Sequence, residues 1–428
     1  MALVLLVTCI RVILNLPGST FPGADEPRWT ATGRYAFDRL FVAHDFSART
    51  WSDPAFTRYG ARNPPVGKLL FGAFQVIAGE GEQFTTRETV LELWRPDPDR
   101  EHDLPAIHAV RRGNAALLVV AAGALYRIAL VLTASPPLAA LAALLLAFDP
   151  FMSKLSFMAM TDIPMLAFGL VLLCVTLACL RSIRSAQIGR ACATGALAGC
   201  CAAVAVGTKL NALVFVLVAF AWLGLTQIPG PTVLGPITGS PSRKAVAASL
   251  SVALLTGGIF WVLPNPLLWK APVEQTRVLL SYGAELSSVA QNPGGLLQAM
   301  RPTPRVKDRV APIIEFARTG PLNTATGMRS IDIWLIAFGI IAWMAAVAGQ
   351  AGVMPRSGAI LLGVWAGVAV AGQLAWTPFA WPRYHFPLEP CFAIFEALAL
   401  WTIVRLVPAA ITNAQRAKGI PTTERPAR

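Results

Sequence analysis

Charge is scarce in this chain: only 14% of its 428 residues are Asp, Glu, Lys or Arg. A soluble globular domain carries about 25%, so a solvated globule is excluded. Histidine is scarcer still, and His44, His102, His108 and His385 show no ligand spacing; they read as surface or interfacial side chains. Five of the seven cysteines (Cys174, Cys179, Cys192, Cys200 and Cys201) lie in apolar stretches without metal-ligand spacing. They imply helix packing, with neither a disulfide nor zinc. There is no P-loop, dinucleotide fingerprint or HExxH motif, which disfavours nucleotide-driven and metalloprotease chemistry. No repeat of fixed period is visible.

What is abundant is apolar length. The chain is 55% hydrophobic with a mean hydropathy of +0.57. Apolar segments fall near 2–16, 66–79, 114–134, 137–149, 160–180, 190–206, 209–226, 245–264, 331–349, 357–375 and 385–405. Lipid offers backbone groups no hydrogen bonds, and no barrel-like alternation is present, so these segments are helices. The expected fold is an all-α polytopic membrane protein of about ten to eleven helices. Residues 2–16 read as an uncleaved first helix, because no small-x-small cleavage site precedes Asp25.

The net charge of +13 comes from 36 Lys+Arg against 23 Asp+Glu. A basic excess can attract nucleic acid, but many of these cations sit in short loops between apolar segments, the positive-inside pattern. No nucleic-acid partner is expected; the surroundings are membrane lipids. Arg181, Arg184 and Arg190 without an acid, Arg243 and Lys244 without an acid, and five Lys/Arg from Arg405 onward against Glu424 mark the cytoplasmic side. Alternating crossings then set Asp162, Lys209, residues 265–330 and Trp376–Arg383 on the opposite face. If 66–79 and 137–149 both cross fully, Asp25 lands in the cytoplasm. If one is re-entrant, Asp25 joins Asp162 outside, and the 14-residue segment 66–79 is too short for a bilayer core of about 30 Å. The expected organisation is one transmembrane domain over 1–405 with a cytoplasmic tail over 406–428. It carries two extracytoplasmic polar sections, 17–65 (interfacial amphipathic helix) and 265–330. The last twenty or so residues read as a disordered tail.

Chemistry-bearing residues collect on that outer face: Asp25-Glu26, Lys68, Asp162 with Lys209, and Arg383. A carboxylate there can deprotonate a hydroxyl while Arg and Lys hold a departing phosphate. Each has a plainer alternative. Asp25-Glu26 or Asp162, with Pro164 behind it, suits a helix cap. Lys68 and Arg383 sit where side chains snorkel to head groups, and Lys209 reads as a loop charge.

Taken in order, several stretches resemble one family. Ala24-Asp25-Glu26-Pro27 is similar to an acidic pair following a first helix. Asn63-Pro64-Pro65-Val66-Gly67-Lys68-Leu69-Leu70 is similar to a His-Pro-Pro-Leu-Gly-Lys signature. Phe148-Asp149-Pro150 with Met160-Thr161-Asp162 looks like a segment bearing a second acid. Gly207-Thr208-Lys209, Asn265-Pro266-Leu267-Leu268-Trp269 and Pro382-Arg383-Tyr384-His385-Phe386-Pro387 complete the set. Together they resemble the GT-C membrane glycosyltransferases, in the family of protein O-mannosyltransferases and lipid A aminoarabinose transferases. The resemblance implies transfer of a sugar from a polyprenyl-phosphate carrier to a protein, lipid or glycan acceptor, with inversion, on the extracytoplasmic face of the inner (plasma) membrane. It implies Asp25 as general base with Glu26 beside it and Asp162 as second acid. Lys68, Arg383 and Lys209 would hold the donor phosphate. Asn63 stands where the family has His, so that ring's role does not carry over. The resemblance covers members that bind a divalent metal and members that do not; with one acid pair and no ligand cluster, no cofactor is assigned and a divalent metal stays open. A transporter or flippase coupling ions through Asp25 and Asp162, with carboxylates in interrupted helices and internal repeats, is the rival reading; a silent scaffold is a third.

Overall fold

The computed structural model describes residues 1–15, 25–51, 53, 64–93, 104–225, 242–291, 303, 305–350, 354–377, 380 and 382–417. Asn63 and the stretches 16–24, 94–103, 226–241, 292–302 and 418–428 lie outside the described residues. The described elements are helical throughout, as the apolar segments require.

The helices run as follows: α1 Ala2–Asn15, α2 Glu26–Phe37, α3 Val66–Ala78, α4 Leu104–Thr133, α5 Pro136–Phe148, α6 Pro150–Ser156 and α7 Asp162–Arg184. Then come α8 Ile188–Thr208, α9 Leu213–Leu225, α10 Arg243–Val262, α11 Pro272–Gln291, α12 Ile331–Val347, α13 Arg356–Trp376 and α14 Glu389–Ala417. Among the described residues six helices are long and apolar enough to cross a membrane, seven if α5 and α6, bent by 59° at Asp149-Pro150, form one span. Shorter apolar helices join them, α1, α3 and α12 among these. The chain is a multi-pass membrane protein.

The surroundings of segment 66–79 bear on the topology left open above. Phe71 packs with Val110 and Ala159, and a Cβ on Gly113 would meet the ring of Phe74 at 2.2 Å. Both residues of α4 lie in its first third. Behind α3, Phe84 and Val90 pack with Ala31, Tyr35 and Ala106, returning the chain to where α4 begins. Helix α3 therefore packs beside α2 at the end of the bundle where α4 begins, with the residues before and after it in one cluster. The segment 137–149 continues through the bend into α6, and the pair together is apolar and long enough for one span.

Helix α4 starts at Leu104, ten residues before the apolar run at 114, so Arg111 and Asn114 are helical and buried, not loop residues. Helix α14 likewise runs unbroken past residue 405 to Ala417, into the expected tail. A close helix approach joins α8 to α10, where a Cβ on Gly199 would meet Ala253 O at 2.1 Å and one on Gly195 would meet Ser249 O at 2.5 Å. This is the small-xxx-small spacing by which membrane helices approach backbone to backbone. Thr256 Oγ1 adds a hydrogen bond to Ala196 O at 3.0 Å. The bundle centre is aromatic: Trp222 and Trp365 meet edge to face at 6.1 Å, and Trp222 Nε1 donates to Leu361 O.

Candidate active site

At the bundle end where α2 and α3 lie, the loops after α6, α8, α10 and α13 converge. Helix α2 opens with Pro27 in its first turn, where a missing N–H costs nothing. Asp25 occupies the cap position in helical conformation, but its side chain makes no capping bond. Among the described residues the half-buried Asp25 carboxylate has no hydrogen-bond or ion-pair partner. The cap alternative therefore does not describe it.

Glu26 was expected at its side and points inward instead. Its carboxylate is 1% exposed and takes both prongs of Arg111, Nε to Oε2 at 2.9 Å and Nη2 to Oε1 at 3.0 Å. Oε2 also accepts the Ala159 N–H at 2.8 Å. Three residues beyond Arg111, Asn114 Nδ2 donates to Met158 O at 2.6 Å and Met160 O at 2.9 Å. The loop leading to Asp162 is thus tied to α2 and α4.

Lys68 does not snorkel: it is fully buried, with Nζ 5.1 Å from the Trp29 ring centroid. Trp29 sits one turn after Asp25. Two glycines bring the remaining elements to this point. A Cβ on Gly67 would fall 2.6 Å from Thr161 Cγ2 and 3.2 Å from Thr208 Cγ2, and one on Gly207 would fall 2.5 Å from Val66 Cγ2. The start of α3, the start of α7 and the end of α8 therefore touch, and Lys68, Asp162 and Lys209 are each the next residue along.

Asp162 opens α7 but does not cap it; Oδ1 forms an ion pair with Lys209 Nζ. Its Oδ2 is buried without a hydrogen-bond partner among the described residues. Lys209 is extended, at φ −160° and ψ 133°, which ends α8 and turns the ammonium inward. Its Nζ lies 5.7 Å from the Tyr384 ring centroid, and the Arg383 guanidinium lies 6.0 Å from the same ring. Tyr384 thus stands between two cations. Arg309 ties the 265–330 section to this corner, donating to Thr303 O at 3.0 Å and Leu374 O at 2.6 Å. Burial holds its guanidinium below its ordinary range.

His385, expected at the surface, is 1% exposed against Phe316, ring centroids 5.8 Å apart. Burial lowers its imidazole to about 4, so it is neutral and adds no charge to the cations beside it. No group of three or more His, Cys, Asp or Glu that could hold a metal ion occurs among the described residues.

Residues 56–234 match the family profile described as dolichyl-phosphate-mannose-protein mannosyltransferase. No curated protein sequence matches the chain. Among solved structures, the Archaeoglobus fulgidus oligosaccharyltransferase in complex with Zn and sulfate superposes on 97% of this chain, at 16% identity and TM-score 0.60. This is the GT-C fold. The resemblance to GT-C membrane glycosyltransferases read from the motifs is borne out. The same archaeal enzyme in complex with an inhibitory peptide and a dolichol-phosphate matches at TM-score 0.55 and 16% identity, over 96% of this chain and 51% of that one. ArnT from Cupriavidus metallidurans, bound to undecaprenyl phosphate, matches at TM-score 0.49 and 17% identity, over 96% and 63%. The chain spans about half the length of the GT-C oligosaccharyltransferase, covering 51% of it.

Arg111, Asn114, Trp29 and Tyr384 escaped the sequence reading. Arg111 carried a signal: it lies only three residues before a long apolar run, where a charge inside a helix needs a partner.

Proposed function

We propose that this GT-C protein is a glycosyltransferase that takes a sugar from a polyprenyl-phosphate carrier and passes it to an acceptor hydroxyl. Asp25 removes the acceptor proton, and the hydroxyl oxygen attacks the anomeric carbon from the face opposite the phosphate, with inversion. Lys68, Lys209 and Arg383 hold the departing phosphate, Arg383 through its planar fork and the lysines as point charges. Asp162 fixes Lys209 and keeps one oxygen for the acceptor or sugar. The reaction lies on the extracytoplasmic face, as the positive-inside count orients the loops.

One observation carries this reading: a half-buried carboxylate, without a hydrogen-bond partner among the described residues, at the same bundle end as three cations, two of them drawn inward by glycine contacts. An apolar cavity of about 180 Å³ starts beside Lys209 and Tyr384, between α9 and α13, lined by Leu210, Leu213, Val214, Leu217, Trp376 and Tyr384. A second groove of about 330 Å³ runs between α8, α9 and α10 past Val206 and Leu213, on the other flank of Lys209. Both suit a lipid tail that stays in the bilayer while its phosphate reaches Lys209. The rival transporter needs its carboxylates within interrupted helices, whereas Asp25 and Asp162 stand at helix starts.

The test supplies wild-type protein and Asp25→Asn with radiolabelled polyprenyl-phosphate hexoses and pentoses. Loss of the base should slow transfer by about 10²–10⁴-fold. Equal turnover by both proteins would remove Asp25 from the mechanism.

A further inference from the structure

We propose that Glu26 and Arg111 form a positioning clamp that, with Asn114, holds the loop Met158-Ala159-Met160 and thereby sets Asp162 and Lys209 against Asp25. The proposal rests on the function given above and assigns the second acid of the Asp-Glu pair a role other than proton transfer.

The geometry excludes Glu26 from direct chemistry. Its carboxylate is engaged by the protein, twice by Arg111 and once by the Ala159 N–H. At 1% exposure no acceptor hydroxyl reaches it. A general base must come within hydrogen-bond reach of the proton it takes. Asp25, its neighbour, meets that condition; Glu26 does not.

The same bonds say what Glu26 does instead. Three consecutive loop residues are gripped through their backbones: the Met158 and Met160 carbonyls by Asn114, and the Ala159 N–H between them by Glu26. Arg111 fixes the Glu26 carboxylate with its rigid fork, which a lysine lacks. Arg111 and Asn114 lie three apart, on one face of α4. The next loop residue, Thr161, packs on Gly67, and the one after is Asp162. A shift of the loop therefore moves Asp162, its Lys209 partner and the start of α3 with Lys68 together. Displacement of reacting groups by about 1 Å can cost 10²-fold in rate.

The experiment compares full-length wild type, Arg111→Lys, Glu26→Gln and the charge-reversed pair Glu26→Arg/Arg111→Glu. Two readouts are taken: hydrogen exchange of the peptide containing Ala159, and release of label from undecaprenyl-phosphate mannose or undecaprenyl-phosphate aminoarabinose. Arg111→Lys should speed exchange at Ala159 at least about tenfold and lower kcat by about 10–100-fold, with KM for the donor little changed. Glu26→Gln keeps an oxygen for the Ala159 N–H, so it should stay well above the activity of Asp25→Asn. The reversed pair restores opposite charges but offers Ala159 no acceptor at position 26. It should regain thermal stability without regaining turnover. Wild-type exchange and kcat in Arg111→Lys would overturn the clamp. So would a fall of Glu26→Gln to the Asp25→Asn level with exchange unchanged, because that marks a chemical role. If wild type releases neither sugar, the function reading is what fails, and the exchange readout still decides the clamp.

Discussion

At the residue scale, burial decides which side chains of the site act and which support. Asp25 and Glu26 are adjacent and alike in sequence, yet among the described residues one carboxylate is half-buried without a hydrogen-bond partner while the other is held by Arg111 and Ala159. No periodicity distinguishes them, since the difference comes from α4 and the 158–160 loop, distant in sequence. His385 illustrates the same point with a measurable consequence. Its imidazole, buried on Phe316, is lowered to about 4 from the ordinary 6.5. The folded state thus binds this proton less well than the unfolded chain does. Above about pH 6.5 the group is neutral in both states and costs nothing; as pH falls from 6.5 toward 4 the unfolded chain gains the proton first and stability is lost. The full penalty is on the order of 3 kcal/mol, at about 1.4 kcal/mol for each pH unit. Thermal midpoints in detergent should fall over that window, and His385→Phe should flatten this part of the curve. An unchanged slope would show that His385 is not the titrating group.

At the element scale, small residues control how close the crossing helices come. The α8 stripe Gly195 and Gly199 admits the α10 backbone at Ser249 and Ala253, so a side chain at 199 must push two membrane spans apart. Gly199→Leu should destabilise the fold by about 1–3 kcal/mol, the usual cost of overpacking. Because α8 ends at Lys209, the variant should also loosen the Lys209–Asp162 pair and reduce transfer beyond what its melting temperature explains. Gly189→Ala, with nothing within 4 Å of the added Cβ, serves as the neutral control. The helices themselves were legible, because apolar length in lipid leaves no other choice. Their starts were less so. Helix α4 begins ten residues early because the charged turn containing Arg111 and Arg112 is paid for by burial against Glu26, and hydropathy alone reads such a turn as loop. The 59° break at Asp149-Pro150 was marked by its proline, whereas the course of α6 after it depends on packing with α4 and α7.

At the scale of the whole molecule, the arrangement rests on whether α3 crosses. A 13-residue helix is about 20 Å long, against an apolar core of about 30 Å. Its length already argued against a crossing, and the contacts of Phe71, Phe74, Phe84 and Val90 with the first turns of α4 fit a helix lying at one end. A topology with α3 out of the count and α5–α6 as one span predicts the loops containing Asp25, Asp162, Lys209, Asn265 and Arg383 on the same side. Single cysteines introduced by His44→Cys, Glu82→Cys and Gln187→Cys into a cysteine-free background test this directly. His44 and Glu82 are exposed before and after α3, and Gln187 is exposed in the turn between α7 and α8. In sealed cells a membrane-impermeant maleimide should label positions 44 and 82 alike, and position 187 only after permeabilisation. Opposite labelling of 44 and 82 would make α3 a crossing helix and separate Asp25 from Asp162 by the bilayer. No single lipid-borne phosphate could then meet both, so the outcome at these two exposed positions bears on the active site as much as on the topology.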